Sequence, residues 1–308
     1  MVTTSIVVDT IGSGVSGRLF EHGHAAGAGS GLRFSVVIPA FNEALYIGDC
    51  LESLARQDFG GGYEVVVVDN NSSDDTAAIA RSHGVTVVRE EHHGVCRARQ
   101  RGTQDARGEI VVSSDADTRF DSGWLSRIDR TFDDDPTRVA VAGPCRYFDG
   151  PWWGRVYARM LFDLVHLVNR LTGRVIYVTA TNIAFRKSAW SGYDHTATQG
   201  GDELGLLRQL RSRGTVTFDP ANVTYTSGRR LNRGLAYNLV VSCLFYYFLA
   251  YRLNRLFGRT IIGTAPGFGR PTRPTALRRR VGQGLVWAGC LALFVVTGLL
   301  LTWVAEDR

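Results

Sequence analysis

What the 308-residue sequence lacks narrows it first. No G-x-G-x-x-G follows the first apolar strand and no Walker loop occurs, so the phosphate cradles of the dinucleotide-binding and P-loop folds are missing. The five cysteines (Cys50, Cys96, Cys145, Cys243 and Cys290) are scattered, with no C-x-x-C pair. They read as buried or free thiols of a reducing compartment, which excludes a zinc or disulfide framework. Residues 1–32, rich in Gly, Ser, Thr and Ala, have no basic start followed by an apolar core, and so are not a secretory signal. They read as a disordered leader, with His22 and His24 the only hint of metal binding there. From Arg229 to Arg280 eleven arginines are met by no Asp or Glu, so the net charge of +6 is concentrated late in the chain. A basic, acid-free stretch suits nucleic acid or an anionic membrane face.

What is present is an alternation. Short β-branched runs at 34–39, 64–69, 85–89 and 109–113 predict strands, and 46–57, 76–82 and 95–106 predict helices between them. Leu51, Leu54 and Ala55 mark an apolar face on the first helix, and Asp74 or Asp75 caps the second. Such βαβ units imply a mainly parallel sheet covered on both faces, with ligands at the carboxyl ends of its strands. Three of those ends are polar: Pro39-Ala40-Phe41-Asn42-Glu43, Asp69-Asn70-Asn71-Ser72-Ser73-Asp74 and Asp115-Ala116-Asp117.

The last of these is the centre of the reading. Val111-Val112-Ser113-Ser114 runs straight into Asp115 and Asp117, which project to one side of an extended chain. Two carboxylates that close repel, and one gains a proton unless a cation sits near them. A hard ion, Mg²⁺ or Mn²⁺, held by carboxylates and substrate phosphates is one reading, and a solvated turn is the other.

Taken in order, Val37-Ile38-Pro39-Ala40-Phe41-Asn42-Glu43, Val68-Asp69-Asn70-Asn71-Ser72-Ser73-Asp74-Asp75-Thr76, Gly94-x-x-x-Ala98-Arg99 and Asp115-Ala116-Asp117 closely resemble family 2 glycosyltransferases, over roughly residues 33–230. The resemblance implies a GT-A fold, a Rossmann-like α/β sheet flanked by helices, and an enzyme that inverts the anomeric centre of a nucleotide-activated sugar. It implies that Pro39, Phe41, Glu43 and Asp69 line the nucleotide site, with Asn70 against the base. Arg99 approaches the base or diphosphate, Asp115 reaches the ribose or the ion's water shell beside Ala116, and Asp117 binds the ion. Turn chemistry is the other reading of Asp69 and Asn71.

Thr179-Ala180-Thr181-Asn182-Ile183-Ala184-Phe185-Arg186-Lys187 resembles the family's acceptor-side segment, which places Asn182 at the donor sugar. Gly200-Gly201-Asp202-Glu203-Leu204 resembles its acidic helix start, in which Asp202 is the catalytic base and Glu203 the reserve. A helix dipole keeps such a carboxylate ionised, ready to take the acceptor's proton; a plain cap is the other reading. The stretch Val223-Thr224-Tyr225-Thr226-Ser227-Gly228-Arg229-Arg230 lacks the His that many members carry near the ion. Arg229 and Arg230 either offer guanidinium forks for the diphosphate instead or only face lipid headgroups.

Helices are predicted at 124–134 and 152–171, with a strand at 139–143. In the second helix Trp152, Trp153, Val156, Met160, Leu164 and Leu167 share a stripe, facing either the interior or a membrane and its lipid-linked acceptors. Residues 284–304 hold no charge and are long enough to span a bilayer; Arg278, Arg279 and Arg280 precede them, which places the catalytic domain in the cytoplasm. The apolar stretch 235–251, interrupted by Asn238, reads as an in-plane helix, followed by an Arg-rich linker on anionic headgroups. Four parts result: a leader (1–32), a GT-A domain (33–230), an interfacial helix with linker (231–282) and a transmembrane helix with its tail (283–308). The expected partners are a nucleotide-sugar donor, a lipid-linked or glycan acceptor and an anionic membrane, not nucleic acid. Two other functions compete. A nucleotidyltransferase needs a basic phosphate-gripping loop that Pro39–Glu43 does not offer, and a non-catalytic nucleotide-sugar-binding module has no need of Asp117 and Asp202.

Overall fold

The computed structural model of the chain describes residues 31–194 and 201–238, with a few further positions between 245 and 262. The first four strands are β1 (Phe34–Ala40), β2 (Tyr63–Asp69), β3 (Thr86–Arg89) and β4 (Ile110–Ser113), and between them lie α1 (Ile47–Ala55), α2 (Thr76–Ser82) and α3 (Val95–Asp105). Strand β1 is buried along its whole length and pairs in parallel with β2 on one side and β4 on the other, which makes it the centre of this half. Its Val and Ile side chains are covered from both sides. Ile47, Leu51 and Leu54 of α1 meet Phe34, Val36 and Ile38, while Ala98 and Cys96 of α3 meet Val37. Helix α3 comes close because Gly102 has no side chain: a Cβ there would stand 2.4 Å from Val37 and 2.8 Å from Val68.

The chain continues through β5 (Thr118–Phe120), α4 (Trp124–Asp133), β6 (Arg138–Ala142), β7 (Cys145–Tyr147), α5 (Trp152–Thr172), β8 (Ile183–Arg186), α6 (Gly201–Arg211), β9 (Thr215–Phe218) and β10 (Thr224–Thr226). Seven strands form one sheet in the order β3-β2-β1-β4-β8-β6-β9. All its pairings are parallel except those of β8, which runs antiparallel to β4 and β6. Strands β5, β10 and β7 make a second, small sheet. Trp124, Leu125, Ile128 and Phe132 of α4 share the core on the α1 face, and Phe162 and Val165 of α5 with Leu206, Leu207 and Leu210 of α6 fill the α3 face.

Between residues 34 and 172 the predicted elements fall within one or two residues of those observed. The small sheet was not foreseen, since three-residue strands carry no readable alternation. The predicted stripe on α5 is divided. Ala158, Leu161, Phe162 and Val165 turn inward and Trp153 is buried apart from them against Leu231, whereas Trp152 and Leu167 lie outside the core at 41 % and 51 % exposure. Cys50, Cys96 and Cys145 are buried, as expected. Among the described residues no helix is long and apolar enough to cross a membrane. Residues 1–30, 263–282 and the uncharged run 284–304 lie outside the described ones, as do Cys243 and Cys290 and most of 239–251.

One buried amide joins the two halves. Asn182, just before β8, accepts a hydrogen bond from Trp124 Nε1 (3.1 Å) and donates to the carbonyls of Pro144 (3.0 Å) and Asn222 (2.6 Å). Gly143 lets these segments meet, because a Cβ there would lie 2.1 Å from the Asn222 carbonyl and 2.6 Å from Asn182 Nδ2. Gly143→Ala is therefore expected to destabilise the domain by ~3 kcal/mol through a clash that backbone cannot relieve. Chemical denaturation of the variant beside the parent measures it, and an unchanged midpoint would contradict the packing described.

Candidate functional site

The carboxyl ends of β1, β2 and β4 meet at one edge of the sheet and are stitched together by side chains. After β1, Asn42 takes a left-handed backbone (φ 55°), which asparagine tolerates better than most residues. Its Oδ1 accepts from the Ser73 backbone (2.8 Å), and its own N–H reaches Ser72 Oγ (3.0 Å). The Glu43 N–H donates to Thr76 Oγ1 (2.8 Å), and Asp69 Oδ1 accepts from the Ser72 N–H (3.2 Å). Asn71 is also left-handed (φ 65°) and donates its amide to the Glu91 carbonyl, which fits its turn reading. Phe41 stands out from this floor, 42 % exposed, with His93 edge-on at 5.2 Å.

The two aspartates after β4 sit in different surroundings. Asp115 Oδ1 accepts from Arg99 Nη2 (2.6 Å) and Oδ2 from Thr181 Oγ1 (2.8 Å). Burial alone would raise its proton affinity, but the charges of Arg99 and Arg230 and the Thr181 bond hold the carboxyl below the usual carboxylate range. Asp117 Oδ1 accepts from Thr226 Oγ1 (3.0 Å), and Oδ2 lies 3.3 Å from Arg229 Nη2. Burial and the neighbouring Asp115 charge keep Asp117 above its ordinary value despite Arg229 and Arg230. The same Arg229 Nη2 donates to Glu43, whose carboxyl burial pushes up to about 7 against that pull. Arg229 also stacks over the Tyr46 ring at 4.5 Å. Among the described residues, Glu43 Oε2 and Arg229 Nε are buried without a hydrogen-bond partner.

This donor set fits a hard divalent cation. Asp117 is a carboxylate short of positive charge, and buried Glu43 Oε2 is an acceptor with nothing to accept. Among the described residues no three His, Cys, Asp or Glu converge as a ready cage, so phosphate oxygens would have to complete the shell.

The sequence-predicted residues separate into two groups. Pro39, Phe41, Glu43, Asp69, Asp115, Ala116, Asp117, Arg229 and Arg230 all belong to the segments that meet at this edge. Three of the remaining residues have partners within the protein. Arg99 is only 3 % exposed and bonds Asp115, Ser113 Oγ (2.6 Å) and the Ser114 carbonyl (3.1 Å), so it braces Asp115 from behind. Asn182 is spent inside the fold, as described above. The Asn70 amide bonds the carbonyls of Glu90 (3.0 Å) and His92 (2.7 Å) and the N–H of Gly94 (2.8 Å), so it shapes the loop over the site. Asp202 lies in the first turn of α6, with its side chain outside the described ones. Glu203 is buried and accepts from the Ala180 N–H (3.2 Å), which ties α6 to the segment before β8.

Thr181 and Thr226 were missed, although both stretches had been singled out. Asp149 was missed as well: it accepts from Ser227 Oγ (2.9 Å) and fixes the loop that carries Arg229. No local signal distinguishes these hydroxyls and this carboxylate from ordinary surface polarity.

Arg99→Met tests the bracing. It leaves Asp115 without its buried partner and is expected to cost about 2–4 kcal/mol at pH 7, somewhat under the value for a fully buried pair because a third of Asp115 is open. A carboxyl held low in the fold adds stability above its unfolded pKa of about 3.9, and that stability disappears as pH falls through the folded value. Parent and variant should therefore differ most near neutrality and converge in acid, as read from denaturation midpoints across pH. A constant difference would mean that Arg99 contributes packing alone.

Residues 35–193 match the sequence family described as Glycosyl transferase family 2. No curated protein matches the chain. Among solved structures it is similar to TarS 1-349 of S. aureus, at 21% identity over 89% of this chain and 87% of that one with a TM-score of 0.53. It is also similar to TarS 1-349 in complex with UDP-GlcNAc, at 20% identity over 89% and 87% with a TM-score of 0.52. The mannosyltransferase PcManGT from Pyrobaculum calidifontis, in complex with GDP-Man and Mn2+, is 20% identical over 89% of this chain and 79% of that one, with a TM-score of 0.56. With the family match covering more than half of its length and the GT-A sheet in place, the chain belongs to glycosyl transferase family 2 and is a glycosyltransferase.

Proposed function

We propose that the protein moves a sugar, with inversion, from a nucleotide-diphosphate sugar to a hydroxyl or lipid-linked acceptor at the cytoplasmic face of a membrane. The observation that carries the reading is the grouping of Asp115, Asp117 and Glu43 with Arg229 at the carboxyl ends of the central strands, where such sheets bind ligands. The UDP-GlcNAc of TarS and the GDP-Man and Mn2+ of PcManGT support a nucleotide sugar and a divalent ion as ligands.

In this reading Phe41 and His93 offer ring surfaces to the base, beside Asp69. Asp117 and Glu43 would hold Mg²⁺ or Mn²⁺ through oxygen, with Asp115 kept ionised next to them by Arg99. An ion held there would supply positive charge opposite the diphosphate leaving group. Arg229 and Arg230 face the same group and share that role. Asp202 takes the proton from the acceptor hydroxyl as it attacks the anomeric carbon, and the N-terminus of α6 keeps it ionised until then. Glu203, committed to the Ala180 N–H, positions the acceptor segment.

Metal dependence is the first test. Asp117→Ala should abolish transfer and the gain in donor affinity that Mn²⁺ gives the parent, as followed by calorimetry with UDP- and GDP-sugars. Full turnover by that variant in EDTA would sink the site. The base is the second. Asp202→Asn keeps the helix start but cannot take a proton, so donor affinity should hold while turnover falls by roughly 10²–10⁴. If Glu203→Gln loses turnover and Asp202→Asn does not, the base is the neighbouring residue.

The location rests on residues 284–304 and the arginines before them. A reporter fused after Arg308 should score as extracytoplasmic, and a cytoplasmic score would reverse the topology.

A further inference from the structure

Helix α5 carries a second apolar face. Counting about 100° per residue, Trp152, Val156, Met160, Leu164, Leu167 and Leu171 fall within a sector of about 120°, away from the buried row of Leu161, Phe162 and Val165; Asp163 and Arg170 stand at the edge of that sector nearest Trp152, and Trp153 lies within it. Trp152, Leu167 and Leu171 are 41 %, 51 % and 75 % exposed, and the other three are half-buried. Beside this row run Arg155 and Arg159, one turn apart and exposed. They open onto a cavity of ≈ 420 Å³, also lined by Arg146, Trp152, Val156 and Tyr225. Among the described residues none of its three arginines forms an ion pair; Arg155 makes one long bond to the Gly150 carbonyl (3.5 Å). Three unneutralised guanidinium groups at the head of an apolar ridge match an anionic headgroup with its chain laid along the helix.

The position agrees. Trp153, in the same sector but covered, packs with Leu231 and Leu235, where the chain leaves the domain toward its acid-free, arginine-rich stretch and the uncharged residues 284–304. The helix is 21 residues long but interrupted by Arg155, Arg159, Asp163 and Arg170, so it suits lying in the interface, not crossing it.

We propose that α5 docks on an anionic phospholipid surface, with a lipid phosphate in the Arg146–Arg155–Arg159 cavity and acyl chains against Trp152, Val156, Met160 and Leu167. The inference rests on the membrane-face location proposed above.

The test uses the full chain in vesicles, with photoreactive p-benzoylphenylalanine in place of Leu167. A control carries it in place of Ala78, exposed on α2 across the sheet. In phosphatidylglycerol vesicles position 167 should capture lipid, seen as a mass-shifted peptide, and position 78 should not. Capture at 167 should fall roughly tenfold in phosphatidylcholine, and equally when Arg155→Gln and Arg159→Gln are combined. Millimolar glycerol phosphate should leave it unchanged. Suppression by that soluble phosphate would show a site for free phosphate esters and overturn the lipid assignment. Protein that floats with vesicles yet captures no more lipid at 167 than at 78 overturns the inference while the location stands. Protein that does not float overturns both.

Discussion

Three carboxylates crowd the open edge of the main sheet, and their mutual repulsion is the constraint that the surrounding structure answers. The two aspartates are answered differently. Asp115 is given a permanent internal counter-charge, Arg99, which α3 carries in from the side of the sheet opposite α1. Asp117 and Glu43 share Arg229, which arrives from the far end of the domain with Arg230 beside it. The permanent pair keeps one acid ionised whatever the site contains. The shared one leaves two acids under-compensated, and this is the state in which incoming positive charge gains most.

Much else follows from keeping those charges in place. Arg99 can sit behind Asp115 only because Gly102 brings α3 against β1 and β2. Arg229 can reach Glu43 only because Asp149 holds the Ser227–Gly228 turn. The loop crossing there is tight: Gly150 is left-handed (φ 83°), and a Cβ on it would lie 2.8 Å from the Gly228 carbonyl. The electrostatics of the site are thus set by backbone contacts in which side chains would be an obstruction.

The strand–helix alternation and the three polar strand ends were legible in the sequence because each is a local pattern: β-branched runs, an apolar helical face, carboxylates two residues apart. The roles of Arg99, Asn70 and Asn182 were not, because a residue type does not reveal which way its side chain is spent. A buried guanidinium and a ligand-gripping one read alike until partners such as Ser113 and the Ser114 carbonyl are known. The same holds for α5, whose aromatic start read as one stripe. A single step along the helix separates Trp152 from Trp153, and tertiary packing alone decides which of them is core.

Strand β8 runs against its neighbours, and this gives the sheet a second way of supplying its active edge. Every parallel strand contributes the residues that follow it. Because β8 is reversed, its first residue, Ile183, pairs with the last residues of β4 and β6, so the chain preceding it is what arrives at the edge. Thr181 therefore meets Asp115 on the way into a strand, whereas Glu43, Asp69 and Asp117 lie on the way out of theirs. Outgoing and incoming chain come from separate stretches of sequence, joined by no shared turn. The loops on the incoming side can lengthen or change without disturbing the register of the strands that hold the acids, and a fold so built can exchange one reaction partner while keeping the other.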